Sequence, residues 1–140
     1  MQKIVIINGP NLNLLGLRET QVYGTESFEA YFEKLKRVFP SVELVYLQSN
    51  VEGELINYLH AHGFDGSGIV INPGGYTHTS VALGDAIAGI SSPVVEVHIS
   101  NVHAREAFRQ LSHVSAKCKG TISGMGLYGY QLAVQYLLQL

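Results

Sequence analysis

Cysteine is nearly absent. The 140-residue chain has one, Cys118, so it holds no disulfide framework and no paired-cysteine metal site. That usage fits a reducing cytoplasm. Charge is scarce as well. Asp, Glu, Lys and Arg make up 14% of the residues, against roughly 25% in an average soluble chain. The deficit is local. Between Asp65 and Glu96 the single charge is Asp85, and none follows Lys119. Such stretches predict surface covered by further copies of the chain. The net charge of −2 carries no basic excess of the kind nucleic-acid binders show. No apolar run approaches the roughly 20 residues of a membrane span. Met1 leads straight into a strand-like run without the segments of a secretory signal, so a cytoplasmic location is expected.

What is present is alternation. Residues 3–8, 42–47, 68–72, 94–99 and 120–123 are short apolar runs of strand length. Between them lie helical patterns. Residues 26–39 place Phe28, Tyr31, Phe32, Leu35 and Val38 on one face, and Pro40 ends the helix. Residues 51–62 follow Asn50 as an expected N-cap, with Gly63 as a stop. Further helices are expected over 77–89, near 103–111, and over 128–138. There is no repeat, low-complexity stretch or linker, and residues 1–140 read as a single catalytic domain. The pattern predicts an α/β fold: a flavodoxin-like open five-stranded parallel sheet of order 2-1-3-4-5, with helices on both faces. In such sheets ligands bind beyond the carboxyl ends of the strands, where strand order reverses.

Three strands run into polar turns there: Asn8-Gly9-Pro10-Asn11-Leu12-Asn13, Asn72-Pro73-Gly74-Gly75-Tyr76-Thr77-His78, and Glu96-Val97-His98-Ile99-Ser100-Asn101. One such turn means little. Three converging on one sheet edge point to a site of donors and acceptors reached by close backbone approach. The first turn lacks the Lys and Ser/Thr of a P-loop and holds no G-x-G-x-x-G after the first strand, so nucleotide or flavin binding has little support there. His60 and His62 point to different faces of a helix, and His98 and His103 lack a ligand partner at metal spacing, so no metal is expected. No lysine lies in the three turns, which argues against Schiff-base chemistry. A glycine-bounded loop from Gly16 to Gly24 can fold over the same edge as a lid, bringing Arg18 and Tyr23. A tyrosine is a poor base near neutral pH unless a cation stands beside it. A guanidinium about 4 Å away supplies up to about 4 kcal/mol at an effective dielectric near 20.

These residues carry a resemblance. Residues 8–16, Arg18 and Tyr23-Gly24 resemble the N-terminal signature of the type II 3-dehydroquinate dehydratases. Ile71-Asn72-Pro73-Gly74 with residues 76–80 resembles the family's second block. Residues 96–101, His103-Ala104-Arg105-Glu106 and Phe108-Arg109 resemble its third. Gly120, Ile122, Gly124, Gly126 and Gly129-Tyr130 match its last. The resemblance implies a cofactor-free and metal-free lyase. Such an enzyme converts 3-dehydroquinate to 3-dehydroshikimate and water by anti elimination through an enolate, in the shikimate pathway of aromatic amino-acid biosynthesis or in quinate catabolism.

Carried over, Tyr23 is the base, Arg18 activates it and His98 is the general acid. Glu96 orients and charges His98, and Asn11 holds a donor against the enolate oxygen. Asn72, His78, Ile99, Ser100 and Arg109 bind substrate. Asp85, seven residues after His78 and so on the same expected helical stripe, reaches a neighbouring subunit's site. The family's trimers assemble into a homododecamer. Gly75, Gly84, residues 110–113 and residues 115–118 depart from the family pattern. Gly75 is expected to loosen the turn holding Asn72, and Gly84 to weaken its helix by up to about 1 kcal/mol. The departures after Arg109 bear on subunit packing. Cys118 reads as a packed residue rather than a nucleophile. The alternative reading is a non-catalytic flavodoxin-like binding module.

Overall fold

The computed structural model describes residues Met1–Leu140. Its five strands are β1 (Gln2–Asn8), β2 (Val42–Gln48), β3 (Gly68–Asn72), β4 (Val94–His98) and β5 (Gly120–Ser123). All pairings are parallel and the order is β2-β1-β3-β4-β5, as the alternation predicts. Because side chains alternate along a strand, each central strand feeds two cores. Ile4 and Ile6, Val70, and Val95 and Val97 pack on one face, beneath α2 (Phe28–Val38) and α5 (Tyr128–Leu137). Val5 and Ile7, Ile69 and Ile71, and Val94 pack on the other, beneath α3 (Glu52–His62) and α4 (Val81–Gly89). Fully burying one such side chain contributes about 1.5–3 kcal/mol. A one-turn helix, α1 (Thr20–Tyr23), sits in the loop after β1. No helix is long and apolar enough to cross a membrane.

Helix starts follow caps more closely than periodicity. α2 begins at Phe28 because the Ser27 hydroxyl accepts the Ala30 N–H. The expected Asn50 cap is corrected. Val51 occupies the N-cap position, and the Asn50 side chain instead accepts the Asn11 N–H at 3.0 Å. The expected helix over 77–89 is two pieces, a 3-10 turn (Gly74–His78) and then α4. Ser80, in extended conformation, caps α4 by accepting the Leu83 N–H. The expected helix near 103–111 is likewise two 3-10 turns, Val102–Ala104 and Ala107–Gln110, because Arg105 and Glu106 between them are extended.

Gly84 has a use that composition concealed. The backbone of His113 lies directly on α4, and a Cβ at position 84 would stand 2.2 Å from its carbonyl oxygen. The same segment is stitched to the turn before α4, where the His113 N–H donates to the Thr77 carbonyl at 2.8 Å. A Cβ at Gly75, by contrast, would meet nothing within 4 Å. Gly84→Ala is therefore expected to lower unfolding stability by about 1–3 kcal/mol through overpacking. Gly75→Ala should raise it by about 0.4–1 kcal/mol by restricting the unfolded chain. Urea unfolding at fixed protein concentration measures both. Equal effects of the two substitutions would refute the contact at position 84.

Candidate active site

The three polar turns do converge. β1 and β3 are neighbours in register, Asn8 opposite Asn72. The turn after β1 seats against the turn after β3 through Gly9, whose N–H donates to the Asn72 carbonyl at 2.7 Å. Only glycine fits, since a Cβ there would lie 2.5 Å from the Pro73 carbonyl oxygen. Beneath this junction Tyr130 of α5 is fully buried. Burial pushes its phenol well above the usual tyrosine range, so it stays protonated and must donate. It donates to Asn8 Oδ1 at 2.8 Å and accepts from Asn72 Nδ2 at 2.9 Å. Asn72 Oδ1 accepts the Gly74 N–H at 3.1 Å. The amide of Asn72 is thereby fixed in one orientation, with one Nδ2 hydrogen left for a ligand.

Above the junction lies a cleft of about 160 Å³. Of the residues expected at the site, Asn11, Arg18, Tyr23, Asn72, His78, His98, Ile99, Ser100 and Arg109 line it. Glu96 stands behind His98, in a second chamber that shares His78, His98 and Arg109. Asp85 lies outside both, on the exposed face of α4. The helical stripe expected to join it to His78 does not exist, because Thr79 and Ser80 interrupt the helix.

Tyr23, at the end of α1, hangs over the cleft between two arginines. The guanidinium that reaches its oxygen is that of Arg105, whose Nη1 donates to the phenol at 2.8 Å and to Ser100 Oγ at 3.3 Å. Arg18 lies over the ring face, 4.7 Å from the centroid, and pairs with Glu19 at 2.7 Å. The sequence places Arg105 inside a matching block without marking a role for it. Its signal was position: it follows the polar end of β4 and precedes Arg109 by four residues.

On the far side, His98 ends β4. Its Nε2 meets Glu96 Oε2 at 2.5 Å, and the two side chains share a sheet face as their spacing of two requires. Glu96 has no solvent exposure. Burial works against its charge, yet donation from His98, Ser115 and Thr77 together holds its carboxyl below the usual range. Beside it, His78 donates from Nδ1 to the Leu111 carbonyl at 2.7 Å, and burial lowers its tendency to take a second proton. It is thus a neutral ring whose Nε2 can accept from a ligand hydroxyl.

The rest of the lining is polar backbone and side-chain donors. Asn11 has left-handed backbone (φ 69°), a conformation asparagine tolerates. The N–H groups of Ile99 and Ser100 donate to no protein acceptor, a ready seat for a carboxylate. Arg109 is held by Glu106 and packs over Phe108. No group of three His, Cys, Asp or Glu side chains stands together as metal ligands would. Burial pushes the Cys118 thiol up to about 12, which makes it inert as a nucleophile.

The model of the family described as Dehydroquinase class II matches residues 2–138. The chain belongs to the class II dehydroquinase family. A 3-dehydroquinate dehydratase of Fusobacterium nucleatum is 51% identical, covering 98% of this chain and 97% of that one. A catabolic 3-dehydroquinase of Pyricularia oryzae is 50% identical, covering 96% of this chain and 88% of its own. The crystal structure of a type II dehydroquinase from Butyrivibrio crossotus superposes with a TM-score of 0.94 at 46% identity, covering 98% of this chain and 97% of that one. The fold expectation and the family resemblance are both borne out, and the sheet is that of a class II dehydroquinase.

In this member of the family the carboxylate of Glu96 has a sign-definite effect on stability. A carboxyl held below its ordinary value of 4.5 contributes stability that is fully present above that value and is lost as pH falls through the depressed one. Glu96→Gln leaves one donor unmatched, so it should cost about 1–3 kcal/mol near neutrality. Urea unfolding followed from neutral pH into acid should show that difference constant above 4.5 and shrinking below it. A difference that persists unchanged in acid would mean the carboxylate charge is not what the fold uses.

Proposed function

We propose that the chain is a 3-dehydroquinate dehydratase that works without metal or cofactor, removing water from 3-dehydroquinate to give 3-dehydroshikimate. The observation that carries the reading is the pairing of an arginine-bound phenol with a carboxylate-backed imidazole across one cleft: Tyr23 on Arg105, His98 on Glu96. In this reading the phenolate of Tyr23 takes the proton alpha to the ketone. The C–H electrons form an enolate, steadied by Arg18, Arg105 and a donor held by Asn11. Preorganised donors of this kind are typically worth about 3 kcal/mol each. The enolate then expels the hydroxyl beta to the carbonyl. That hydroxyl leaves as water with the proton of His98, and solvent exchange resets both residues. The ionised Glu96 holds the ring by Nε2 and so fixes its orientation toward the cleft.

The substrate is an anion, and the free amides of Ile99 and Ser100 suit its carboxylate. His78, Arg109 and Asn72 suit its ring hydroxyls and carbonyl. The exposed position of Asp85, away from its own cleft, supports a role at the site of a neighbouring copy within trimers that build a dodecamer. The exposed Val81 beside it on α4 suits such a contact. The relatives carry both plain and catabolic names, and the same chemistry serves the shikimate pathway and quinate catabolism. A non-catalytic binding module is set aside, because the relatives at half identity over nearly the whole chain are named as dehydratases.

The test is an ultraviolet assay for the conjugated enone of the product. Activity should survive both EDTA and borohydride treatment. Tyr23→Phe and His98→Ala should each lower kcat by about 10²–10⁴-fold. Arg105→Ala should lower kcat more than it changes KM, because its bond is to the base. A folded, oligomeric wild type that produces no enone would overturn the assignment.

A further inference from the structure

Two hydroxyl side chains behind His98 have no part in the chemistry above, yet both bond to the carboxylate on which His98 rests. Glu96 Oε2 takes the Thr77 hydroxyl as well as His98 Nε2, and Oε1 takes the Ser115 hydroxyl. The three donors come from three segments: the turn before α4, β4, and the 3-10 turn Ser115–Lys117. The direction of the hydroxyl bonds is forced. Thr77 lies 3.1 Å from Ser112 Oγ, and Ser112 Oγ already accepts the Val114 and Ser115 N–H groups at 3.0 and 2.9 Å. Each hydroxyl has one hydrogen. Ser112 therefore gives its hydrogen to Thr77, and Thr77 gives its own to Glu96. The chain of donors ends on the carboxylate and favours its ionised form.

We propose that Thr77 and Ser115 are positioning residues for the acid half of the reaction, holding the ionised Glu96 so that His98 keeps Nε2–H on it and turns Nδ1–H to the leaving hydroxyl. The proposal rests on the reading of His98 as the general acid. His98 Nδ1 has no protein partner, whereas Nε2 is committed to Glu96. The other titratable groups facing this pair are few. The His78 ring lies 6.4 Å away from that of His98, nearly parallel, and is neutral. Arg109 is paired with Glu106, His103 lines the same chamber, and Cys118 stays protonated near Glu96. Glu96 is the anion in contact with His98, and its donors decide how firmly it stays ionised and aimed. The two hydroxyls are not equivalent. Thr77 is 1% exposed, so nothing replaces its hydrogen. Ser115 is partly exposed at a chamber of about 230 Å³, where water can stand in for it.

The experiment is the pH dependence of kcat and KM for the intact oligomer with 3-dehydroquinate, in wild type, Thr77→Val, Ser115→Ala, Thr77→Ser and Ser115→Thr. Thr77→Val should lower kcat about tenfold near pH 8 and by less near pH 6, with KM within about twofold. The basic limb of its profile should move to lower pH. Ser115→Ala should act in the same direction and more weakly, and Thr77→Ser and Ser115→Thr should restore the wild-type profile. The Nε2–H proton of His98, followed by NMR without substrate, should move upfield in Thr77→Val and return in Thr77→Ser. If Thr77→Val does not fold, Ser115→Ala carries the same comparison. A loss of kcat uniform across pH, or an Nε2–H resonance unmoved by either variant, would overturn the proposal while leaving the dehydratase reading intact. An inactive wild type, or a fully active His98→Ala, would instead remove the reading beneath it, and the proposal with it.

Discussion

A carboxylate with no solvent contact sets the terms for the site. Taking Glu96 out of water costs several kcal/mol after relaxation unless its lone pairs are met. They are met only when β4, the turn after β3 and the segment beginning at Ser112 are all in place. The same segments are tied elsewhere, through the Leu111 carbonyl on His78 and the Thr77 carbonyl on the His113 N–H. A site built this way does not assemble piecemeal. Leaving out one segment strands a charge in the interior, so local order and the order of the whole sheet edge stand or fall together.

A second polar knot, on the other sheet face, is neutral. Tyr130 reaches from α5 to bind Asn8 and Asn72 at the ends of two neighbouring strands. It fixes an amide orientation rather than a charge. Between them the two knots set the floor and the back wall of the cleft from opposite layers of the fold. The segment carrying Tyr23 is anchored differently, by guanidinium contacts to its phenol and ring.

Much of this was legible in the sequence, for definite reasons. Apolar runs in strands buried on both faces, such as residues 68–72, leave an unambiguous trace, and their order followed from the alternation. The three polar turns located the site because sheet topology forces the carboxyl ends together. The Glu96–His98 pair was readable because a spacing of two fixes a shared face. Other features depended on contacts between distant parts of the chain. Asn50 has the chemistry of a cap, but the Asn11 N–H claims its side chain. Thr79 and Ser80 break an apparent helical stripe because Ser80 is more useful as a cap than as helix. Arg18, close to Tyr23 in sequence, drew the activating role, whereas Arg105, 82 residues away, reaches the oxygen. Sequence nearness is a weak guide to which of several arginines meets a phenol.

In the segment of residues 111–114, the His113 backbone rests on Gly84 with no room for a side chain between them. The missing Cβ and the path of that segment therefore form a single structural unit. A lineage that enlarges position 84 must first or simultaneously re-route the segment, and one that shortens the segment loses its reason to keep glycine. Grafting either part alone between relatives should yield chimeras poorer than both parents, even though neither part lines the main cleft. In a set of related sequences the two would be expected to vary together.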